Sequence, residues 1–141
     1  MRIRIRNDKL QSVIFFMDGL ELKPASSRAR TIFLSLLRPY VDIFLEADKQ
    51  LVESYAVKDD KGNVIFRDNG VFDLIPETAR EFHEERKRLY LEIAEIEGGT
   101  YTTHLETLKQ ILDELDIPLS GEKADAYDIL CDAVDESIKE V

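Results

Sequence analysis

Arginine and isoleucine alternate from Met1 to Arg6, and this two-residue period predicts a short half-buried strand. Ile3 and Ile5 share its inner face, and Arg2, Arg4 and Arg6 reach water. Asn7 or Asp8 is placed to cap a short helix carrying Val13, Ile14, Phe16 and Met17, which Gly19 ends. A second helix enters at Lys23-Pro24-Ala25-Ser26-Ser27, with proline in the first turn and serine as a cap. Beyond it Phe33, Leu37, Tyr40, Phe44, Ala47, Leu51 and Tyr55 recur at spacings of four and three. Leu36, Val41, Leu45 and Val52 widen this stripe into a broad face that must be buried. Intramolecular core is the favoured use of that face. Pro39 interrupts it, predicting a kink or two consecutive helices near Arg38.

The pattern changes between Lys58 and Asp73. Short apolar runs, Val64-Ile65-Phe66 and Val71-Phe72, flank Arg67-Asp68-Asn69-Gly70, and Asn-Gly there predicts a small β-hairpin on a type I′ turn. Asp59, Asp60, Asn63 and Asp68 lack calcium-loop spacing and read as turn chemistry. Ile75-Pro76-Glu77 opens a further helix, with Ala79, Phe82, Leu89 and Tyr90 inward and residues 84–88 as a solvated charged stretch. Leu91 to Glu97 moves towards alternation and stops at Gly98-Gly99, which predicts a strand paired with residues 1–6. That pairing sets Glu92, Glu95 or Glu97 beside Arg2, Arg4 or Arg6. Thr103 and Glu106 have capping-box spacing ahead of a Leu105, Leu108, Leu112 and Leu115 stripe, and Pro118 ends that region. Ser120 then caps a last helix with Tyr127, Leu130, Cys131, Val134 and Ile138 inward. The predicted class is α+β, mainly α: helices with a small antiparallel sheet or hairpin. Residues 1–141 read as a single domain, with 116–141 as an acidic C-terminal helical segment.

Charge adds a polarity to this picture. Residues 1–38 carry eight basic and three acidic side chains, and residues 111–141 carry ten acidic and two basic. The two ends could each hold a partner or neutralise one another in the fold, and self-neutralisation is favoured because domains often bring their termini together. A net charge of −10 argues against direct nucleic-acid binding. The chain lacks both a membrane-length apolar run and the apolar core of a signal peptide, so it is expected in the cytoplasm, without a membrane partner.

Candidate chemistry is sparse. His83 and His104 have no zinc-site spacing, Cys131 stands alone on an apolar helical face, and the glycines do not form a phosphate loop. No catalytic residue, metal or cofactor is predicted. One constellation stands out: Lys23, Ser26, Ser27, Arg28 and Arg30 gather cations and hydroxyls at a helix start, suited to an anion or to a partner's carboxylates. Its competing use is pairing with the acidic C-terminal helix. On that helix Asp125, Asp128, Asp132 and Asp135 form a candidate interaction surface.

Five local runs follow one another along the chain: Leu20-Glu21-Leu22-Lys23 with Ser27, Arg28, Arg30 and Phe33, then Tyr55-Ala56, Lys58 to Asn63, Asp68-Asn69-Gly70, and Ile96 to Gly99. In combination they resemble a family of small uncharacterised proteins from phages and prophages of Gram-positive bacteria. The chain departs from the family pattern at Pro39 and after Pro118. The resemblance implies phage origin, a compact α+β fold and a place in the host cytoplasm during infection, with no established catalytic activity to carry over. The expected function is a non-enzymatic phage accessory protein acting through contacts with a phage or host protein, with virion or tail assembly as its setting and homo-oligomerisation compatible with it. The alternative is an acidic anti-host protein that blocks a basic host factor.

Overall fold

The computed structural model describes residues 2–98 and 103–139. The order is β1 (Arg2–Arg6), α1 (Leu10–Asp18), α2 (Pro24–Tyr55), α3 (Ala79–Leu91), β2 (Ile93–Glu97), α4 (Thr103–Glu114) and α5 (Gly121–Lys139), with short 3₁₀ turns at Asn7–Lys9 and Pro76–Thr78. The architecture is α+β and mainly α, with a two-stranded antiparallel sheet. Two compact units divide the chain: residues 1–41 with 93–141, and residues 42–92.

In the first unit the alternation of β1 acts as expected. Ile3 and Ile5 are 1% and 2% exposed, while the arginines stand outside. β2 pairs with β1 in the register Arg2↔Glu97, Ile3↔Ile96, Arg4↔Glu95 and Arg6↔Ile93, so opposite charges meet across the strands. Arg2 reaches Glu97 at 3.2 Å and Arg4 reaches Glu95 at 3.1 Å. β2 itself is shorter than the alternation implied, because Leu91 still closes α3. The inner face of the sheet joins Val13 and Met17 of α1, Phe33 and Leu37 of α2, Leu105, Leu108 and Leu112 of α4, and Leu130 and Val134 of α5 in one core. Tyr127, Cys131 and Ile138 lie at its margin, half-buried.

Pro39 does not split α2 into two helices. It lies on the exposed side, as does Ser35, whose carbonyl would otherwise accept the missing N–H, so water can take that carbonyl. Leu45, read as part of the buried stripe, is exposed, whereas Leu34, outside that stripe, is buried. Neither predicted cap on α1 forms. Asn7–Lys9 is a 3₁₀ turn, and Asp8 accepts instead from Arg6 at 2.8 Å. Ser27 is already inside α2, its N–H bonded to the Lys23 carbonyl. Thr103 is likewise helical, and the residues just before it lie outside the described ones, as does Gly99 of the predicted strand stop.

The second unit holds the C-terminal part of α2, the hairpin region and α3. Two hairpins replace the expected one, and neither uses a type I′ turn. Gly62 N–H donates to the Asp59 carbonyl at 3.0 Å, and Gly70 N–H to the Arg67 carbonyl at 2.9 Å. Only the glycines have positive φ, at 83° and 78°. Each turn is therefore type I followed by a left-handed glycine bulge, which spares Asn69 the positive φ that a type I′ turn would impose. Asp59 Oδ1 accepts the N–H groups of Lys61 and Asn63, the turn chemistry read from the sequence. Pairing stays at isolated bridges: Ala56↔Leu74, Lys58↔Val64 and Phe66↔Phe72. The segments are too short to extend a ladder before the next turn. Val52, Ala56 and Phe82 are buried beneath them.

Candidate functional site

The basic constellation at the start of α2 is not assembled into one anion cradle. Arg30 turns away from solvent, and its guanidinium donates to the carbonyls of Met17, at 3.0 Å, and Leu20. It also donates to Ser27 Oγ at 3.2 Å. The Met17 carbonyl also accepts the Leu20 N–H at 3.3 Å, so Arg30 braces the chain where α1 ends, across Met17 and Leu20, rather than pairing with the acidic helix. Lys23 and Arg28 are exposed. Charge reversal should separate the two roles. Arg30→Glu is expected to cost about 1–3 kcal/mol, the scale of losing hydrogen bonds from a charged donor, whereas Arg28→Glu should stay within about 0.5 kcal/mol. Urea unfolding of both variants checks this, and equal losses would remove the bracing role.

On α5 the four aspartates divide into two pairs. Asp125 accepts from Lys9 at 3.0 Å, and Asp135 from Lys109 at 3.1 Å. The hydrogen bond to Asp135, with Asp113 beside it, raises the Lys109 pKa above the ordinary lysine range. Asp128 and Asp132 are exposed and enter no ion pair among the described residues. Among the described residues, Lys9 and Asp125 join the two ends of the chain. Arg2 and Arg4 pair with β2, Arg6 with Asp8, and Arg38 with Asp18.

The most developed constellation lies in residues 42–92, where the sequence offered only a solvated charged stretch. Arg86 makes a two-pronged pair with Asp48, at 2.9 Å and 3.0 Å. Its guanidinium also lies over the rings of Phe82 and Tyr90, at 5.5 Å and 5.2 Å from their centres. The hydrogen bond to Asp48 raises its pKa further. Aromatic contacts run from Phe66 through Phe72 to Phe82 and on to Tyr55. A groove of about 620 Å³ opens between these groups, floored by Val52, Val64, Phe66 and Phe72 and edged by Lys49, Glu53 and Lys58. Its signal was present in the spacing: Phe82, Arg86 and Tyr90, like Phe44, Asp48 and Val52, recur every four residues and so share a helical face.

Apolar exposure concentrates in the same unit. Of the nine large hydrophobic residues exposed among the described residues, six fall within 42–92: Ile43, Leu45, Ile65, Phe66, Val71 and Leu91. Phe66 is 60% exposed. Among the described residues, the groups suited to hydrolytic or redox chemistry stand apart from one another. Cys131 is half-buried with its thiol pKa pushed up by burial, His83 is exposed beside Phe82, and His104 is buried in the first unit. Among the described residues no group of three or more His, Cys, Asp or Glu side chains is arranged to hold a metal ion, and no helix is long and apolar enough to cross a membrane. The chain matches no protein-family model, no curated protein and no solved structure.

Proposed function

We propose that this chain is a non-enzymatic phage accessory protein that works through protein–protein contacts, in virion or tail assembly, and that residues 42–92 make those contacts. The observation that carries the reading is the concentration of exposed apolar side chains there, above all Phe66, Ile65 and Val71 on the hairpins. Isolated exposed hydrophobics are ordinary, but several on one small unit beside an open aromatic groove resemble an interface. The phage setting is supported by the sequence resemblance. The broad apolar face of α2 is not the contact surface, since Phe33, Leu37, Phe44 and Val52 are buried.

The test is a crosslinked pull-down from phage-infected cells with the wild-type chain and with Phe66→Asp. Wild type should enrich capsid or tail proteins. An exposed aromatic anchor is worth about 2 kcal/mol or more when truncated, so the variant should lose them roughly thirtyfold. Phe66 lies outside the buried core, and circular dichroism should be unchanged. A wild-type chain that stays monomeric at micromolar concentration and enriches no virion protein would overturn the reading, as would a variant that keeps every partner. Enrichment of one basic host protein would transfer the role to the acidic face of α5.

A further inference from the structure

The groove in residues 42–92 has a floor and a rim of different chemistry. The floor is Val52, Val64, Phe66 and Phe72. Val52 is buried and Val64 and Phe72 are half-buried, whereas Phe66 stays 60% exposed with its ring edge-on to that of Phe72, 6.2 Å away. A volume of about 620 Å³ lies within the roughly 300–1,000 Å³ of sites that enclose a small ligand or a side chain or two. An apolar side chain entering here exchanges water for aromatic and aliphatic contacts.

The charges of the rim do not cancel. Asp48 accepts from Arg86 with both carboxylate oxygens, so these two opposite charges answer each other. Lys49 on α2 and Lys58 on the first hairpin are exposed and enter no ion pair among the described residues. Glu53, one helical turn beyond Lys49, is also exposed and is likewise not held by a cation among those residues. What is left is two positive charges against one negative, on a chain whose net charge is −10. An acidic ligand gains two cations here and faces one carboxylate, and a basic ligand meets the reverse.

We propose that this groove receives an extended segment of a partner protein in which an aromatic or leucine side chain is followed and preceded, two residues away, by a carboxylate. Residues two apart in an extended segment share a face, so the anchor enters over Phe66 and Phe72 while the carboxylates, about 7 Å to either side of it, reach the ammonium groups of Lys49 and Lys58. The apolar floor supplies most of the affinity, and the lysines select an acidic segment over a basic one. The inference rests on the reading that residues 42–92 make this protein's contacts, and adds to it the chemistry of what they hold.

The test is an NMR titration of the isotope-labelled full chain with a capped Glu-Ala-Phe-Ala-Glu peptide. Amide shifts should cluster at residues 48–53, 58–66 and 72. The double variant Lys49→Gln, Lys58→Gln should bind about five- to tenfold more weakly, the worth of two partly exposed charge contacts. Glu53→Gln should bind about two- to fivefold more tightly, because it removes the opposing charge. All three side chains are exposed, and each variant's own spectrum reports whether the fold is kept. The proposal is overturned by equal binding of Lys-Ala-Phe-Ala-Lys, by the same shifts from Glu-Ala-Ala-Ala-Glu, by shifts confined to other residues or absent with millimolar peptide, or by a lysine double variant that binds as well as wild type. Self-association of the unliganded chain that the lysine double variant abolishes would give the groove to a second copy, and would also overturn it. Peptide binding as expected by a chain that captures no virion protein would keep this assignment and remove the phage reading, and capture of virion proteins by a chain whose groove ignores the acidic peptide would do the opposite.

Discussion

Phe82→Ala is expected to remove about 3–5 kcal/mol of stability from residues 42–92, the usual cost of emptying a buried phenylalanine site. Phe82 is 1% exposed, and its ring meets Phe72 at 6.1 Å and Tyr55 at 5.9 Å in edge-on or tilted geometry. Arg86 lies over its face. Only Val52 and Ala56 are buried in its cluster, and Phe44 is the unit's other buried apolar side chain, so few other contacts can absorb the loss. Entire domains are stable by about 5–15 kcal/mol, which makes the loss a large fraction of what holds the unit together. Hydrogen exchange read by mass spectrometry checks the expectation. Protection across 42–92 should fall roughly hundred- to thousandfold, since each 1.4 kcal/mol is tenfold, while β1, β2 and α5 keep most of theirs. A fall of less than tenfold would show that Phe82 is not what holds the hairpins to the helices. A uniform fall along the whole chain would show that the two units open together.

The prominence of Phe82 also shows where the sequence was hard to read. Phe82 was recognisable as an inward residue, but Arg86 was assigned to water with its charged neighbours. Charge runs on helices normally are solvated, and a partner thirty-eight positions away leaves no local trace. The four-residue recurrence of Phe82, Arg86 and Tyr90 was a signal only for someone also placing Asp48 on the facing side of α2. The hairpins illustrate a subtler failure. Asn69-Gly70 marks a turn in either reading, and only backbone angles separate type I′ from type I with a glycine bulge.

The sheet was legible for the opposite reason. A two-residue period fixes faces, and complementary arginines and glutamates fix partners, so β1 and β2 could be paired across more than eighty intervening residues. At the candidate sites the sequence located chemistry without its geometry. Arg30 belonged to an apparent anion cradle until the end of α1 was seen to need it, and two of the four aspartates on α5 were answered by Lys9 and Lys109. Counting charges found the acidic helix. Which acids remained unmatched depended on long-range pairing.

The contrast between Phe33 and Phe15 tests the core of the first unit in a way composition cannot. Both are helical phenylalanines, yet Phe33 is 0% exposed on α2 and Phe15 is 72% exposed on α1. Phe33 belongs to the cluster that joins the inner face of β1 and β2 to α1, α4 and α5. Phe33→Ala should therefore cost about 3–5 kcal/mol through lost transfer energy and an unfilled cavity. At roughly 3–5 °C per kcal/mol for a chain of this size, the thermal midpoint should fall by about 10–20 °C. Phe33→Leu keeps most of the volume and should cost less than about 1.5 kcal/mol, which distinguishes cavity formation from any special need for an aromatic ring. Phe15→Ala should stay within about 0.5 kcal/mol, as surface substitutions usually do. Calorimetry on the three variants decides the matter. Equal losses at Phe15 and Phe33 would mean that α1 buries its outer face against something in solution, and a small loss at Phe33 would mean that the cluster repacks around an empty site.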